Sequence, residues 1–190
     1  MTKPRGSTPK AIRTRQAIED AARILFSENG FERTTVRDIG ARAGIDPAMV
    51  IRYFGSKDAL FAAVAMPDLH LPDLAGIARE SIGETLVLHF LAQWEGEEGG
   101  GGMPVLLRSA ASNEDAAGRL REIFVTQVFP AIAAAGPPET AAQRAGLVAS
   151  QLLGLALTRY VVKVPPVVAL PLETIVSEVG ATIQRYATGR

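Results

Sequence analysis

The chain has 190 residues, of which 47% are apolar, and 20 Lys/Arg stand against 20 Asp/Glu. That length and apolar content suit one or two packed domains and exclude a largely disordered chain. The absence of cysteine excludes disulfides, thiol catalysis and Cys-ligated zinc.

The charge is unevenly spread. Residues 1–66 carry 11 Lys/Arg and 7 Asp/Glu, and the remainder is acidic by the same margin. A basic head on an acidic body directs an anionic partner to the head alone. The N-terminus (MTKPRGSTPK) has no apolar run of a signal peptide. The longest apolar stretch, Gly146 to Val162, is broken by Ser150, Gln151, Thr158 and Arg159, so it reads as a buried helix and not a membrane span. These features predict a soluble, cytoplasmic protein without a membrane partner.

Residues 1–9 read as a flexible basic arm. From Thr14 the spacing of Ile18, Ala21, Ala22, Leu25 and Phe26 predicts a helix with one apolar stripe. Asn29-Gly30 ends it, with Phe31 folding back onto the last turn. Thr34-Thr35 supply N-cap hydroxyls for a second helix, whose short apolar face is Val36, Ile39, Ala41 and Ala43. Gly44 closes it. Asp46-Pro47 starts a third helix, an N-cap acid followed by proline at the first helical position. That helix runs to about Phe54; Gly55 stops it, and Ser56 caps a fourth.

Two short helices joined by a three-residue turn predict a helix-turn-helix. Val50 and Phe54 should face the core with Ile39 and Leu25, leaving Pro47, Ala48, Ile51 and Arg52 outside. Tight helical corners also occur in bundles that never touch DNA, so the geometry alone leaves both readings open. Beyond residue 66 the pattern predicts helices throughout: Ile82–Trp94, Met103–Ala111, Asp115–Ala135 with Leu120, Phe124, Gln127 and Val128 on one face, Glu139–Lys163 and Leu172–Tyr186. The run EGEEGGGG at 95–102 reads as a mobile loop. The expected class is all-α: an N-terminal three-helix helix-turn-helix domain (10–56) followed by a helical ligand-binding and dimerisation domain (57–190).

The run ARILFSENGFERTTVRDIGARAGIDPAMVIRYFGSKDALF (Ala22 to Phe61) resembles the DNA-binding domain of the tetracycline-repressor (TetR) family. The match rests on the ordered spacing of Phe26, Gly30, Thr34-Thr35, Ile39, Ala43-Gly44, Phe54, Ser56-Lys57 and Leu60. Leu152–Tyr186 more loosely resembles a C-terminal domain of such regulators. The resemblance implies a homodimer whose third helices read successive major grooves of a palindromic double-stranded operator. It also implies a four-helix interface from the last two long helices and a small-molecule pocket among the middle ones. It assigns Lys57 and Tyr53 to the phosphate backbone and Arg37 to a base; the competing readings are a solvated lysine at the start of the fourth helix and a surface salt bridge from Arg37 to Asp38 or Glu32.

From the residues themselves, Thr34 and Thr35 are phosphate candidates at a positive helix end. Ile51, where the family often has Tyr, forms with Pro47 and Ala48 a face suited to thymine methyls, with Arg52 as its long donor. Lys3, Arg5, Lys10 and Arg13 fit either a minor-groove arm or a solubilising tail. Aromatic, Met and Gln side chains offer pocket candidates for an apolar ligand: Phe61, Leu86, His89, Phe90, Trp94, Met103, Leu107, Phe124, Gln127 and Gln151. For each of these, plain core packing is the competing reading.

The interface should use Leu147–Tyr160 and Ile175–Tyr186, with Ala145, Ala149 and Gly154 allowing close approach. No nucleophile–base pair, phosphate loop or metal spacing appears, so neither an enzyme nor a bound metal or cofactor is expected. The function expected is a ligand-released repressor; the alternative is a receptor or adaptor of the same architecture that binds no operator.

Overall fold

A computed structural model describes residues 9–65, 67–96, 102–111 and 113–189. These residues form helices and connecting turns, with no strand among them. No helix among them is long and apolar enough to cross a membrane. The chain divides into two compact units.

The head holds α1 (Pro9–Arg33), α2 (Val36–Ala43), α3 (Pro47–Phe54) and α4 (Lys57–Val64), together with Ser109–Arg119. The stripe on α1 is buried as its spacing demands: Ile18 and Ala22 are fully enclosed, and Ala21 and Phe26 nearly so. Ile39, Val50 and Leu60 close the core from α2, α3 and α4. Phe26, Phe31 and Phe61 form an aromatic cluster, with Phe61 edge-on to Phe26 at 4.9 Å and to Phe31 at 5.1 Å.

The head differs from expectation at four points. Helix α1 begins at Pro9, where the missing N–H costs nothing, so Lys10 and Arg13 are helical; Lys3 and Arg5 lie outside the described residues. Ala41 is exposed and Gly40 is buried in its place. The boundary expected at 56/57 cuts off α4, yet Leu60, Phe61, Ala62 and Val64 are buried head residues. Arg119 ties the later segment to the same unit, its Nη2 donating to the Ala63 carbonyl at 2.6 Å.

The body holds α5 (Ile82–Glu95), most of α6 (Met103–Ala110), the end of α7 (Glu114–Ile123), α8 (Phe129–Ala134), α9 (Ala141–Ala156), α10 (Pro165–Val168) and α11 (Leu172–Thr188). A π-helical turn, Phe124–Val128, joins α7 to α8, and another, Leu157–Val161, extends α9. The first turns the buried face: Ile123 and Ile132 are enclosed, whereas Leu120, Phe124, Gln127 and Val128 are only half-buried. Of the loop expected at 95–102, Glu95 belongs to α5 and 97–101 lie outside the described residues.

Helices α5 and α11 form the tightest contact. A Cβ at Gly83 would lie 2.6 Å from the Gln184 amide nitrogen and closer still to the Gly180 carbonyl, so only glycine admits the approach. Gln184 fastens the crossing, accepting from the Gly83 N–H (2.7 Å) and donating to the Arg79 carbonyl (2.7 Å). Because Ile175 and Ile183 face this interior, the outer face of α11 is Ser177, Glu178, Ala181 and Arg185. Ala145 is likewise fully buried and cannot serve an interface.

Arg144, 3% exposed, knots the other end of the body. Its guanidinium donates to the carbonyls of Ile132 (2.8 Å), Pro137 (3.0 Å) and Ala187 and to the Thr140 hydroxyl (3.2 Å). Burial, with the nearby Arg79 charge second, pulls its pKa down from the usual arginine value. Removing it takes the charged donor from the buried Ala187 carbonyl at the end of α11 and leaves the Ile132 carbonyl of α8 with the Ala135 N–H alone. Arg144→Met should therefore cost about 2–4 kcal/mol, since each charged hydrogen bond contributes roughly 1.5–3 kcal/mol. Denaturant unfolding of the two proteins, compared at equal slope, checks this; an unchanged midpoint would refute it.

Candidate nucleic-acid interface

The helix-turn-helix is built by local chemistry. Thr35 caps α2 in a reciprocal box: its hydroxyl accepts from the Asp38 N–H (3.2 Å) and donates to the Asp38 carboxylate (2.6 Å), which also accepts from the Thr35 N–H (3.0 Å). These bonds hold the Asp38 carboxyl below its ordinary pKa, the hydroxyl contributing more than the backbone. Gly44, with φ 67°, closes α2 in the left-handed conformation. Asp46 then caps α3, accepting from the Ala48 N–H at 2.7 Å.

The turn is tight because of Gly40. A Cβ there would meet the Ile45 carbonyl at 2.7 Å and the Pro47 ring at 3.3 Å. Sequence reasoning passed over this glycine. Its signal is a small residue four before Gly44, where two short helices must nearly touch.

The face of α3 away from the core presents Ala48, Ile51 (41% exposed) and Arg52, with Pro47 and Tyr53 half-buried beside them. Among the described residues Arg52 makes only a long contact, to the Met49 sulfur (3.9 Å). Arg37 on α2 is exposed and has no ion pair among the described residues; Asp38, its neighbour, is spent on the cap. On the opposite side Val50 is buried, and Phe54 lies under the Arg15 guanidinium at 4.5 Å. An apolar patch flanked by two available guanidinium groups can meet thymine methyls and guanine acceptors.

Two phosphate candidates have other duties. Thr34 is 1% exposed, and its hydroxyl turns inward to the carbonyls of Leu25 (3.0 Å) and Gly30 (2.8 Å). Lys57 is neither a solvated lysine nor a free clamp. Its ammonium donates to the carbonyls of Phe31 (2.8 Å) and Thr34 (3.0 Å) and sits 4.1 Å from the Phe31 ring centroid. The reason is positional: the end of α1 leaves carbonyls without helical partners, and the start of α4 lies against them. The Thr35 hydroxyl is also committed, to its cap.

The ten pocket candidates are dispersed. Phe61 belongs to the head core. Leu86 and Met103 are buried, and Leu107, Phe124 and Gln151 are half-buried. Gln127 and His89 both hold one strap of backbone: the Gln127 amide donates to the Pro67 carbonyl (3.0 Å) and accepts from the Leu69 N–H (2.7 Å), and His89 Nε2 lies 2.7 Å from the Leu69 carbonyl. Leu86, Phe90 and Phe124 pack in the core of the body, and Phe90 also joins Trp94 in an aromatic cluster with Tyr160.

These roles separate by substitution. Lys57→Met should lower head stability by about 1.5–3 kcal/mol, the worth of hydrogen bonds to a charged donor, and weaken binding to every DNA sequence alike. Thermal unfolding beside a binding titration tests it, and unchanged stability would return Lys57 to a pure phosphate role. The Asp38 box stabilises the head above the ordinary carboxylate range and is lost as pH falls through its lowered pKa. Asp38→Asn should flatten that acid limb of stability against pH, and an identical limb in both proteins would count against it.

Known proteins resemble the chain along both parts. Residues 18–64 match the family described as "Bacterial regulatory proteins, tetR family". Residues 80–187 match "Tetracyclin repressor-like, C-terminal domain". The HTH-type transcriptional repressor Rv3405c of Mycobacterium tuberculosis is 48% identical over 48 residues, 25% of this chain and 26% of that protein. The HTH-type transcriptional repressor AcnR of Corynebacterium efficiens is 37% identical over 59 residues, 31% of each. The matched stretch thus spans about a quarter to a third of these relatives.

A transcriptional regulator from Rhodococcus sp. Rha1 has a similar fold, with TM-score 0.52 at 24% identity over 90% of this chain and 96% of that one. A TetR-family regulator from Streptomyces coelicolor A3 is 29% identical over 96% of this chain and 98% of its own, with TM-score 0.44. The C-terminal match takes in more than half of the chain and the N-terminal match falls on the helix-turn-helix, and on that basis the chain belongs to the TetR family of bacterial regulatory proteins.

Proposed function

We propose that this protein is a sequence-specific transcriptional repressor that binds a palindromic operator as a homodimer and leaves it when the body takes up a small ligand. The observation that carries the reading is the outer face of α3, where Ala48, Ile51 and Arg52 stand exposed, together with an exposed Arg37 on α2 that has no ion pair among the described residues. Base contacts specify and phosphate contacts position. Arg37 and Arg52 are therefore assigned to bases, and Tyr53 with the first-turn amides of α2 to phosphates. Lys10 and Arg13, exposed on α1, add positive charge near the N-terminus.

The homodimer reading is supported by α9. Leu147, Leu153 and Leu157 are 38%, 36% and 40% exposed along one face, interleaved with Gly146, Ser150 and Gly154. A Cβ at either glycine would meet nothing within 4 Å. A charge-free leucine and small-residue stripe of this kind suits close helix packing.

Gel shifts against the intergenic DNA flanking its own gene, with nonspecific competitor, test the operator reading. A retained complex on an inverted repeat is expected; loss of every complex there and in random-site selection would move the weight to a receptor or adaptor without an operator. Arg37→Ala should relax the selected motif at one base pair per half-site, costing about 1–3 kcal/mol of discrimination; an identical motif would remove Arg37 from base reading. Leu153→Arg should yield a folded monomer by sedimentation with lost operator binding, whereas a persistent dimer would place the interface elsewhere.

A further inference from the structure

At the far end of α5 the body holds a cleft of about 470 Å³, lined by Trp94, Pro104, Arg159, Tyr160, Lys163 and Val168, with Glu95 at its rim. That volume falls within the range of small-molecule sites, roughly 300–1,000 Å³. One wall is aromatic: the half-buried Tyr160 stacks on Trp94 at 4.9 Å with 16° between their planes, Trp94 being only 8% exposed, and Phe90 supports both at 5.8 and 6.2 Å. Pro104 and Val168 add apolar lining.

The charges in this cleft are unequally committed. Arg159 is held on all sides, donating to the Glu95 carboxylate (3.2 Å) and to the carbonyls of Val167 (2.8 Å), Val168 (3.0 Å) and Leu170 (3.2 Å). Glu95 is neutralised by Arg159 and accepts from the Tyr160 hydroxyl at 2.9 Å. Burial, more than the neighbouring carboxylate, pushes the Tyr160 pKa up to about 12, so the phenol keeps that donor proton. Lys163 is exposed without a partner among the described residues, so the described charges lining the cleft leave one positive charge in excess.

The backbone of Lys163 strengthens the case. It has φ 57°, one of two non-glycine residues in the left-handed region among those described. The position follows the π-helical turn at the end of α9, where glycine normally serves. The Val164 N–H reaching back to the Thr158 carbonyl (2.8 Å) holds the turn in place. A long cationic side chain kept where glycine is favoured indicates a use for the side chain.

We infer that this cleft binds a compact aromatic carboxylate, its ring against Tyr160, Pro104 and Val168 beside the buried Trp94 and its anion on the Lys163 ammonium. The inference deepens the ligand response proposed above by naming the site and the chemistry, and replaces a purely apolar ligand with an amphipathic one. Trp94 is the only tryptophan of the chain, so its emission reports the site directly.

Benzoate and its neutral isostere benzamide are titrated into the full-length protein while Trp94 emission is followed. Benzoate should give a saturable change and benzamide one about tenfold weaker, the contribution expected of one charge-assisted contact. Lys163→Gly relieves the left-handed backbone, so its thermal midpoint should hold or rise while benzoate affinity falls about tenfold. Lys163→Arg should retain binding. Equal affinity for benzoate and benzamide, wild-type affinity in Lys163→Gly, or no saturable change at all would overturn the proposal. Operator release is read separately by gel shift: binding without release defeats the ligand-response reading and leaves the site standing, and release without a change in Trp94 emission does the reverse.

Discussion

The reading head depends on how the last carbonyls of α1 are satisfied. A helix that ends inside a domain leaves carbonyl groups with no intrahelical donor, and burying them unpaired is costly. Here two side chains from outside the helix bind carbonyls of its last turns and of the link that follows. The Thr34 hydroxyl reaches the carbonyls of Leu25 and Gly30, and the Lys57 ammonium reaches those of Phe31 and Thr34. Gly30, with φ 74°, supplies the bend that brings Phe31 back over Phe26. With the end of α1 and the start of α4 tied to one point, α2 and α3 have little freedom in how they cross.

That anchoring explains a division of labour within a short stretch. Residues that resemble DNA contacts by their spacing are in part the fasteners of the corner, and the side chains left over are those proposed above for base reading. Thr35 and Asp38 complete each other, Lys57 completes α1, and Gly40 lets α3 approach α2. Arg37 and Arg52 remain, on a face whose other members are apolar.

The body uses the same principle on a larger scale. Arg144 collects carbonyls from Ile132, Pro137 and Ala187, and Arg159 collects them from Val167, Val168 and Leu170. A planar guanidinium with five donors can close several helix ends at once, which a lysine cannot. Arg144 does so without a carboxylate partner among the described residues; Arg159 takes Glu95 as well and so offsets its charge in the cleft. The glycine pair Gly83 and Gly180 then lets α11 lie close on α5, turning the apolar side of α11 inward and leaving α9 with the bare leucine face.

Sequence alone determined the elements of the head, because each begins and ends on local chemistry: Thr35 and Asp46 as caps, Pro47 at a first helical position, Gly44 and Gly55 as stops. It also determined most of the residues that face the core, since Ile18, Ile39 and Val50 stand at the apolar positions of their helices. What it could not determine were contacts between residues distant in the chain. Lys57 is 26 residues from Phe31, Arg144 is 43 from Ala187, and Gln127 is 58 from Leu69. Only tertiary packing decided that a presumed phosphate clamp is a helix fastener, that Phe61 completes the head, and that Gln127 and His89 hold backbone. Local periodicity reports which side of a helix is apolar; which orphaned carbonyl a long polar side chain will satisfy depends on where the helices finally cross.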